Sequence, residues 1–361
     1  MKRGWLLTAM AALAAFAAQG QDSAPTSTLA TIAFSSCLQQ DRPQPIWDAV
    51  VQAHPQLFLL IGDSIYCDTT NIAEKQAAYA RFGAQPGYQE LLQTCPVWAT
   101  WDDHDYGIND AGAEYPARVE SQKAFLDFFD EPPDSPRRQR AGVYDARVFG
   151  PPGRRVQVIL LNTRSFRSPP TRRADRPSDE GPYEAGTNRG DTILGPEQWV
   201  WFRQQLRMPA ELRIIASSIQ VVAEEHHWEK WANFPYERRL LFNMISDTEA
   251  DGVLFISGDR HLAELSMLDG AGRATGAGAV GYPLYDLTSS SLNLPMDGLL
   301  AEANRHRIGN AFPGANFGLI SIDWDAPDPV ITLEIRDEAG AVRLQHQFNL
   351  SSLQVGEGEG P

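Results

Sequence analysis

Several apolar runs in this chain stop abruptly in polar clusters, and that pattern constrains its fold more than any other feature. "LATIAFSSC", "LFLLIGDSIY", "VWATWDDHD", "RVQVILLNTRSFR", "RIIASSIQVVAEE" and "GVLFISGDRH" each join an apolar run of strand length to Ser, Cys, Asp, Tyr, His, Arg or amide groups. Uninterrupted apolar runs fit strands covered on both faces, as in an α/β layering. Helical spacing marks "QPIWDAVVQAH", "AEKQAAYARF", "EYPARVESQKAFLDFF", "GPEQWVWFRQQL" and "PYERRLLFNMIS". Past Leu262 the strands shorten and alternate in "AELSMLD", "LYDLTSS", "FGLISIDW", "VITLEIRD" and "RLQHQFNL", which predicts a second, more antiparallel sheet. With 43% hydrophobic residues over 361 positions, one large α/β domain over 29–350 can bury a sizeable core.

The ends read differently. Lys2 and Arg3 precede an apolar stretch from Trp5 to Ala18, and small residues follow at Ala18 and Gly20. Residues 1–20 therefore read as a secretory signal peptide cut near Gly20–Gln21. The stretch is too short and alanine-rich for a comfortable membrane span, which needs ~20 residues. The mature protein is expected to be exported to the periplasm or beyond the cell, without a stable span, as a monomer. Residues 21–28 form a polar leader, and 351–361 are expected to be a disordered tail. The segment 168–192 is Pro-, Gly- and Arg-rich without periodicity, so it reads as a long functional or mobile loop.

Cleavage would remove two basic residues and no acidic one, taking the formal charge from −15 to −17. General attraction to nucleic acid or anionic membranes is excluded on that charge, and divalent cations are a more natural partner. Cys37, Cys67 and Cys95 make an odd count for an exported chain, so one thiol has another task. Cys67 and Cys95 are either a disulfide or two thiols, which sequence does not decide.

In α/β sheets, ligands gather beyond the carboxyl ends of strands. The clusters Ser35–Cys37, Gly62–Tyr66, Asp102–Asp105, Ser217–Gln220 and Gly258–His261 can thus converge on one place, with carboxylate, imidazole, thiolate and phenolate donors suited to metals. Each alone has a plainer reading: Asp63 as a helix cap, His104 as a hydrogen-bonded core histidine, Cys37 as a small hydrophobe, Tyr66 as packing. Five in order are hard to assign to chance. The crowding of Asp102, Asp103, Asp105 and Asp110 around His104 also demands protons or cations.

The order resembles the calcineurin-like metallophosphoesterases, whose signature runs DxH, GDxxD, GNH(E/D), a lone His, then GHxH. Here it reads SxC, GDxxY, DDHD and GDxH. These departures resemble the PhoD-type alkaline phosphatases, as do "LNTRSFR" and "WANFPYERRLLF", in a short form without the N-terminal β-domain. The resemblance spans roughly 29–345 and implies a four-layer α/β/β/α sandwich with two mixed sheets.

It also implies two metal sites: Cys37, Asp63, Tyr66 and His261 for the first, with Asp63 bridging to a second that Asp103 and Asp259 share. The lone His has no clear match. Gln220 or a nearby serine stands at about that place, with His226–His227 as an alternative more readily placed at an entrance or surface. Phenolate with thiolate favours ferric iron, and an oxygen-rich site suits calcium. The family implies Fe³⁺ with Ca²⁺, and Mg²⁺, Mn²⁺ or Zn²⁺ also fit such donors.

The expected activity is hydrolysis of phosphate esters at alkaline pH. His104 would be the general acid, Asp105 would orient it, and Arg164 would be either a phosphate clamp or a structural ion pair. A phosphodiesterase of phospholipase D type and a non-catalytic metal binder are the rivals. A thiol redox protein lacks a CxxC.

Overall fold

The computed structural model describes residues 27–177, 180–269, 280–296, 298 and 302–355. The expected signal peptide and most of the leader lie outside the described residues.

The strands are β1 (Thr31–Ser35), β2 (Leu57–Ile61), β3 (Val97–Thr100), β4 (Asp145–Phe149), β5 (Val156–Leu160), β6 (Leu212–Ser217) and β7 (Val253–Ser257), then β8 (Ala263–Leu268), β9 (Leu284–Ser289), β10 (Arg307–Phe312), β11 (Asn316–Asp323), β12 (Val330–Asp337) and β13 (Val342–Asn349). They form two mixed sheets, in the orders β13-β12-β11-β1-β2-β3 and β10-β8-β9-β7-β6-β5-β4. Within each, a parallel block carries the buried apolar runs: β1-β2-β3 in one, β5-β6-β7-β9 in the other. Antiparallel strands flank each block.

The helices are α1 (Ile46–Gln52), α2 (Ile72–Gly83), α3 (Pro86–Thr94), α4 (Asp103–Tyr106), α5 (Arg118–Phe128), α6 (Pro136–Gln139), α7 (Gly195–Leu206) and α8 (Pro235–Asp247). Side chains alternate across a strand, and here the alternation sorts two cores. Ile32, Phe34, Leu57, Leu59 and Ile61 join the core shared with the other sheet and with Trp199, Phe202, Leu241 and Ile245 of α7 and α8. Ala33, Phe58 and Leu60 point the other way, against Trp47, Tyr79, Tyr88 and Phe125 of α1, α2, α3 and α5. This is the expected α/β/β/α order.

Two expectations are corrected and one open alternative is decided. The late strands do not make a separate sheet: β8 and β9 extend the sheet of β7, and β11 pairs directly with β1. Cys67 and Cys95 are both free thiols, Cys95 buried behind α3. The expected tail from 351 is part of the fold as far as it is described. Residues Leu350–Leu353 form a 3₁₀ turn, Leu353 is buried, and its carbonyl accepts from the Gly252 N–H at 2.7 Å. Its apolar side chain completes the core beside β7, which the polar neighbours in the sequence hid.

No helix among the described residues is long and apolar enough to cross a membrane.

Candidate metal centre

Because β1, β2 and β3 run parallel in one sheet and β5, β6, β7 and β9 in the other, their carboxyl ends emerge at one edge of the sandwich. Cross-links between the exits confirm this. The Cys37 N–H donates to the Gly62 carbonyl at 3.3 Å, Thr100 Oγ1 to the Leu161 carbonyl at 2.7 Å, and the Gly258 N–H to the Ser218 carbonyl at 3.1 Å. Gly62 is required here: its φ is +127°, and a Cβ would meet Asp102 Cβ at 2.6 Å.

Four of the candidate ligands form one constellation. Cys37 Sγ lies 3.4 Å from Asp63 Oδ2, Tyr66 Oη 3.3 Å from the same oxygen, and His261 Nε2 3.4 Å from Tyr66 Oη. His261 is held from behind by a 2.6 Å contact between Nδ1 and the Leu294 carbonyl. That bond puts the proton on Nδ1 and leaves the Nε2 lone pair facing the constellation, the usual backing of a metal-binding imidazole. Ser290 Oγ, just beyond β9, donates to Cys37 Sγ at 3.0 Å.

Asp103 stands beside them, grouped with Asp63 and His104. Its Oδ1 accepts from the His104 N–H at 3.0 Å and its Oδ2 from the Asp110 N–H at 2.6 Å. Asp259 is half-buried, and its carboxylate accepts no hydrogen bond from the described residues, although Asp102, Asp103 and Glu229 all act on it electrostatically. Cys37, Asp63, Asp110, Asp259 and His261 all have left-handed backbones, with φ of 58°, 50°, 58°, 67° and 52°. Each such residue costs about 1–2 kcal/mol outside glycine. Strain concentrated in this way marks functional sites.

The electrostatics ask for positive charge. Burial raises the pKa of Asp63, with Asp103 adding to it. Burial likewise pushes Asp102 up to about 6, Asp105 to about 7, and Asp110 to about 7 with help from Glu229. Burial also raises the Cys37 thiol and the Tyr66 hydroxyl. Asp103 is the exception: His104 and Arg164 outweigh burial and lower it. A buried set of thiol, phenol, imidazole and carboxylates, strained into convergence and short of cations, fits metal ions.

Several expected roles change. Asp105 does not touch the His104 ring. Its carboxylate accepts from the Ser64 N–H at 2.9 Å and the Asp102 N–H at 3.2 Å, tying the loop after β2 to the start of α4. Asp68 takes the orienting place, its Oδ1 2.6 Å from His104 Nδ1 and its Oδ2 accepting from the Asn109 N–H at 3.2 Å. The Tyr66 ring packs on the imidazole with centroids 4.2 Å apart. Burial alone would lower the His104 pKa, but Asp103, Asp63 and Asp68 hold it up at about 11.

Arg164 is no clamp. It is fully buried, bound to Asp102 and, at 2.7 Å, to Glu229, which Arg167 also grips. Arg260 turns to Glu302 and lies over the Trp228 ring. Gln220 faces away into a buried polar cluster, donating to Glu264 at 2.7 Å and Thr288 at 2.9 Å while His226 Nε2 sits 2.9 Å from its carbonyl oxygen. His226 is therefore a core histidine, and His227 packs beside Tyr183 in the long loop. Ser218 is the serine that reaches the centre, through Asp102 at 2.6 Å.

Asp68, Tyr183, Glu229 and Ser290 escaped the sequence reading. Asp68 had a signal, since it continues the polar run after Asp63. Tyr183 donates to Asp110 at 2.5 Å from within an aperiodic loop, where nothing marks it.

Comparison with known proteins follows the same lines. The model of the PhoD-like phosphatase family matches residues 32–298. Alkaline phosphatase D of Bacillus subtilis (strain 168) is 22% identical over 287 residues, covering 66% of this chain and 47% of that protein. The chain thus spans about half the length of that curated relative. A solved structure of PhoD superposes with a TM-score of 0.72 at 17% identity, over 92% of this chain and 72% of the other. GAP50, the anchor in the inner membrane complex of Plasmodium, superposes at 0.55 with 12% identity, over 90% of this chain and 89% of its own. At these identities the two structures speak for the fold.

Proposed function

The chain belongs to the PhoD-like phosphatase family, and from that premise we propose that it is a metal-dependent phosphoric ester hydrolase acting at alkaline pH. The observation that carries this reading is the convergence of Cys37 Sγ, Tyr66 Oη and His261 Nε2 around the Asp63 carboxylate. Cys37, Asp63, Tyr66 and His261 would hold ferric iron. Asp63, Asp103 and Asp259 would hold calcium, the harder oxygen-seeking ion. Cations so held supply Lewis acidity, lowering the pKa of water and taking up charge from the phosphoryl oxygens.

His104 is the general acid. Its Nε2 is left for the leaving oxygen because Nδ1 is engaged by Asp68, whose carboxylate favours the protonated ring. Acid assistance of this kind is worth ~10²–10⁴-fold. Asp105 and Arg164 serve the frame rather than the chemistry. Residues 1–20 read as a signal peptide, which supports a site of action outside the cytoplasm.

Hydrolysis of p-nitrophenyl phosphate, phenethyl phosphate and bis-p-nitrophenyl phosphate by residues 21–361 tests the reading. Metal-dependent release from the monoesters, with phenethyl phosphate turnover falling ~10²-fold or more in His104→Ala and in Asp68→Asn, is expected. Preference for the bis-ester would make the protein a phosphodiesterase. Absence of hydrolysis of any ester in the metal-loaded protein overturns the reading in favour of a metal-binding protein.

A further inference from the structure

One buried ammonium beside the candidate centre has no part in the chemistry above. Lys75, on α2, has no solvent exposure. Its Nζ donates to three main-chain carbonyls: Cys67 at 3.3 Å, His104 at 3.2 Å and Asp105 at 2.8 Å. No ion pair joins it to a carboxylate among the described residues. Three carbonyls saturate the three N–H donors of an ammonium. A lysine that only filled space on α2 would be better replaced by an apolar residue, because burying a charge is costly.

What the three carbonyls have in common is His104. One belongs to His104 itself and one to its successor. The third, on Cys67, belongs to the peptide unit that enters Asp68, the residue whose carboxylate lies 2.6 Å from His104 Nδ1. The ammonium therefore cross-links the main chains of both partners in the Asp68–His104 pair. Those partners sit on separate segments, the loop after β2 and the short helix α4. Tyr79, one turn further along α2, adds a 3.4 Å bond to Asp105 Oδ1 from the same face.

We propose that Lys75 is a positioning residue for the general acid, holding His104 and Asp68 in register so that the imidazole meets the leaving oxygen. This rests on the phosphoesterase reading above.

Leaving groups separate this role from general support. An alkoxide needs a proton as it departs, whereas p-nitrophenolate leaves unaided. Holoenzyme turnover of phenethyl phosphate and p-nitrophenyl phosphate is compared for the wild type, Lys75→Met, Lys75→Arg and His104→Ala. In Lys75→Met, the ratio of kcat for p-nitrophenyl phosphate to kcat for phenethyl phosphate is expected to rise ~10–100-fold, the direction His104→Ala also takes, with metal content unchanged. Lys75→Arg keeps donors for the carbonyls and is expected to restore much of the wild-type ratio. Equal losses on both esters, or no loss on either, would overturn the proposal. If Lys75→Met gives no soluble protein, Lys75→Gln is judged by the same ratio. A wild type that cleaves neither of these esters nor bis-p-nitrophenyl phosphate fails the parent reading, and that is seen before any variant is made.

Discussion

Arg164 carries a full positive charge at zero exposure, and its partners decide what it is for. Its guanidinium is held between Asp102 and Glu229, and Arg167 closes the other side of Glu229. Removing one partner of a buried ion pair strands the others, at a cost of about 3–5 kcal/mol. Arg164→Met is therefore expected to lower stability in urea by about that amount. A variant that keeps its denaturation midpoint but shows a raised KM would return Arg164 to the substrate. Residue types at strand exits were legible because an apolar run must end where solvent or ligand begins. That put Cys37, Asp63, Tyr66, Asp103, Asp259 and His261 on one list. The neighbours that orient them were not legible. Asp68 and Asp105 are two carboxylates in equally polar runs, and only the path of the chain sets Asp68, rather than Asp105, against the imidazole.

At the scale of elements, periodicity located α7 and α8 almost to the residue, since Trp199, Phe202 and Leu206 repeat on one helical face. It missed α3, where Pro86 and Gly87 read as breakers although Pro86 sits in the first turn, where a helix tolerates proline. Strand pairing was less legible still. The register that sets β11 beside β1 joins residues nearly 300 positions apart, Thr31 with Ser321, and no local pattern encodes that choice. The C-terminal turn shows what polar sequence conceals. Leu353→Ala is expected to destabilise the protein by about 2–5 kcal/mol, measured as a urea midpoint shift, because the residue fills core. A change under about 0.5 kcal/mol would mean that the segment is the loose tail its sequence resembles.

For the whole molecule, the formal charge of −15 matters less than its concentration at one edge. Without cations, the carboxyls of Asp102, Asp105 and Asp110 have pKa values raised to about 6, 7 and 7. Groups raised above their unfolded values contribute stability that is complete below ~4 and is lost as pH climbs through the folded values. His104, raised to about 11, adds a slope of the same sign above its unfolded value. His226 and His261, held below their ordinary values by burial, act in the opposite sense up to about pH 6.5. Chelator-treated protein is thus expected to lose Tm from about pH 6.5 to pH 8, a slope that bound cations should flatten by neutralising the cluster. A Tm that rises over that interval after chelation would contradict this balance of charge.

The central claim is that the strand exits build a centre for two different cations. The most direct test is metal analysis and visible absorption of residues 21–361 purified without chelator. The account predicts bound iron and calcium, with a phenolate-to-iron band that Tyr66→Phe abolishes. A colourless, metal-free protein that takes up neither ion when they are supplied would contradict it.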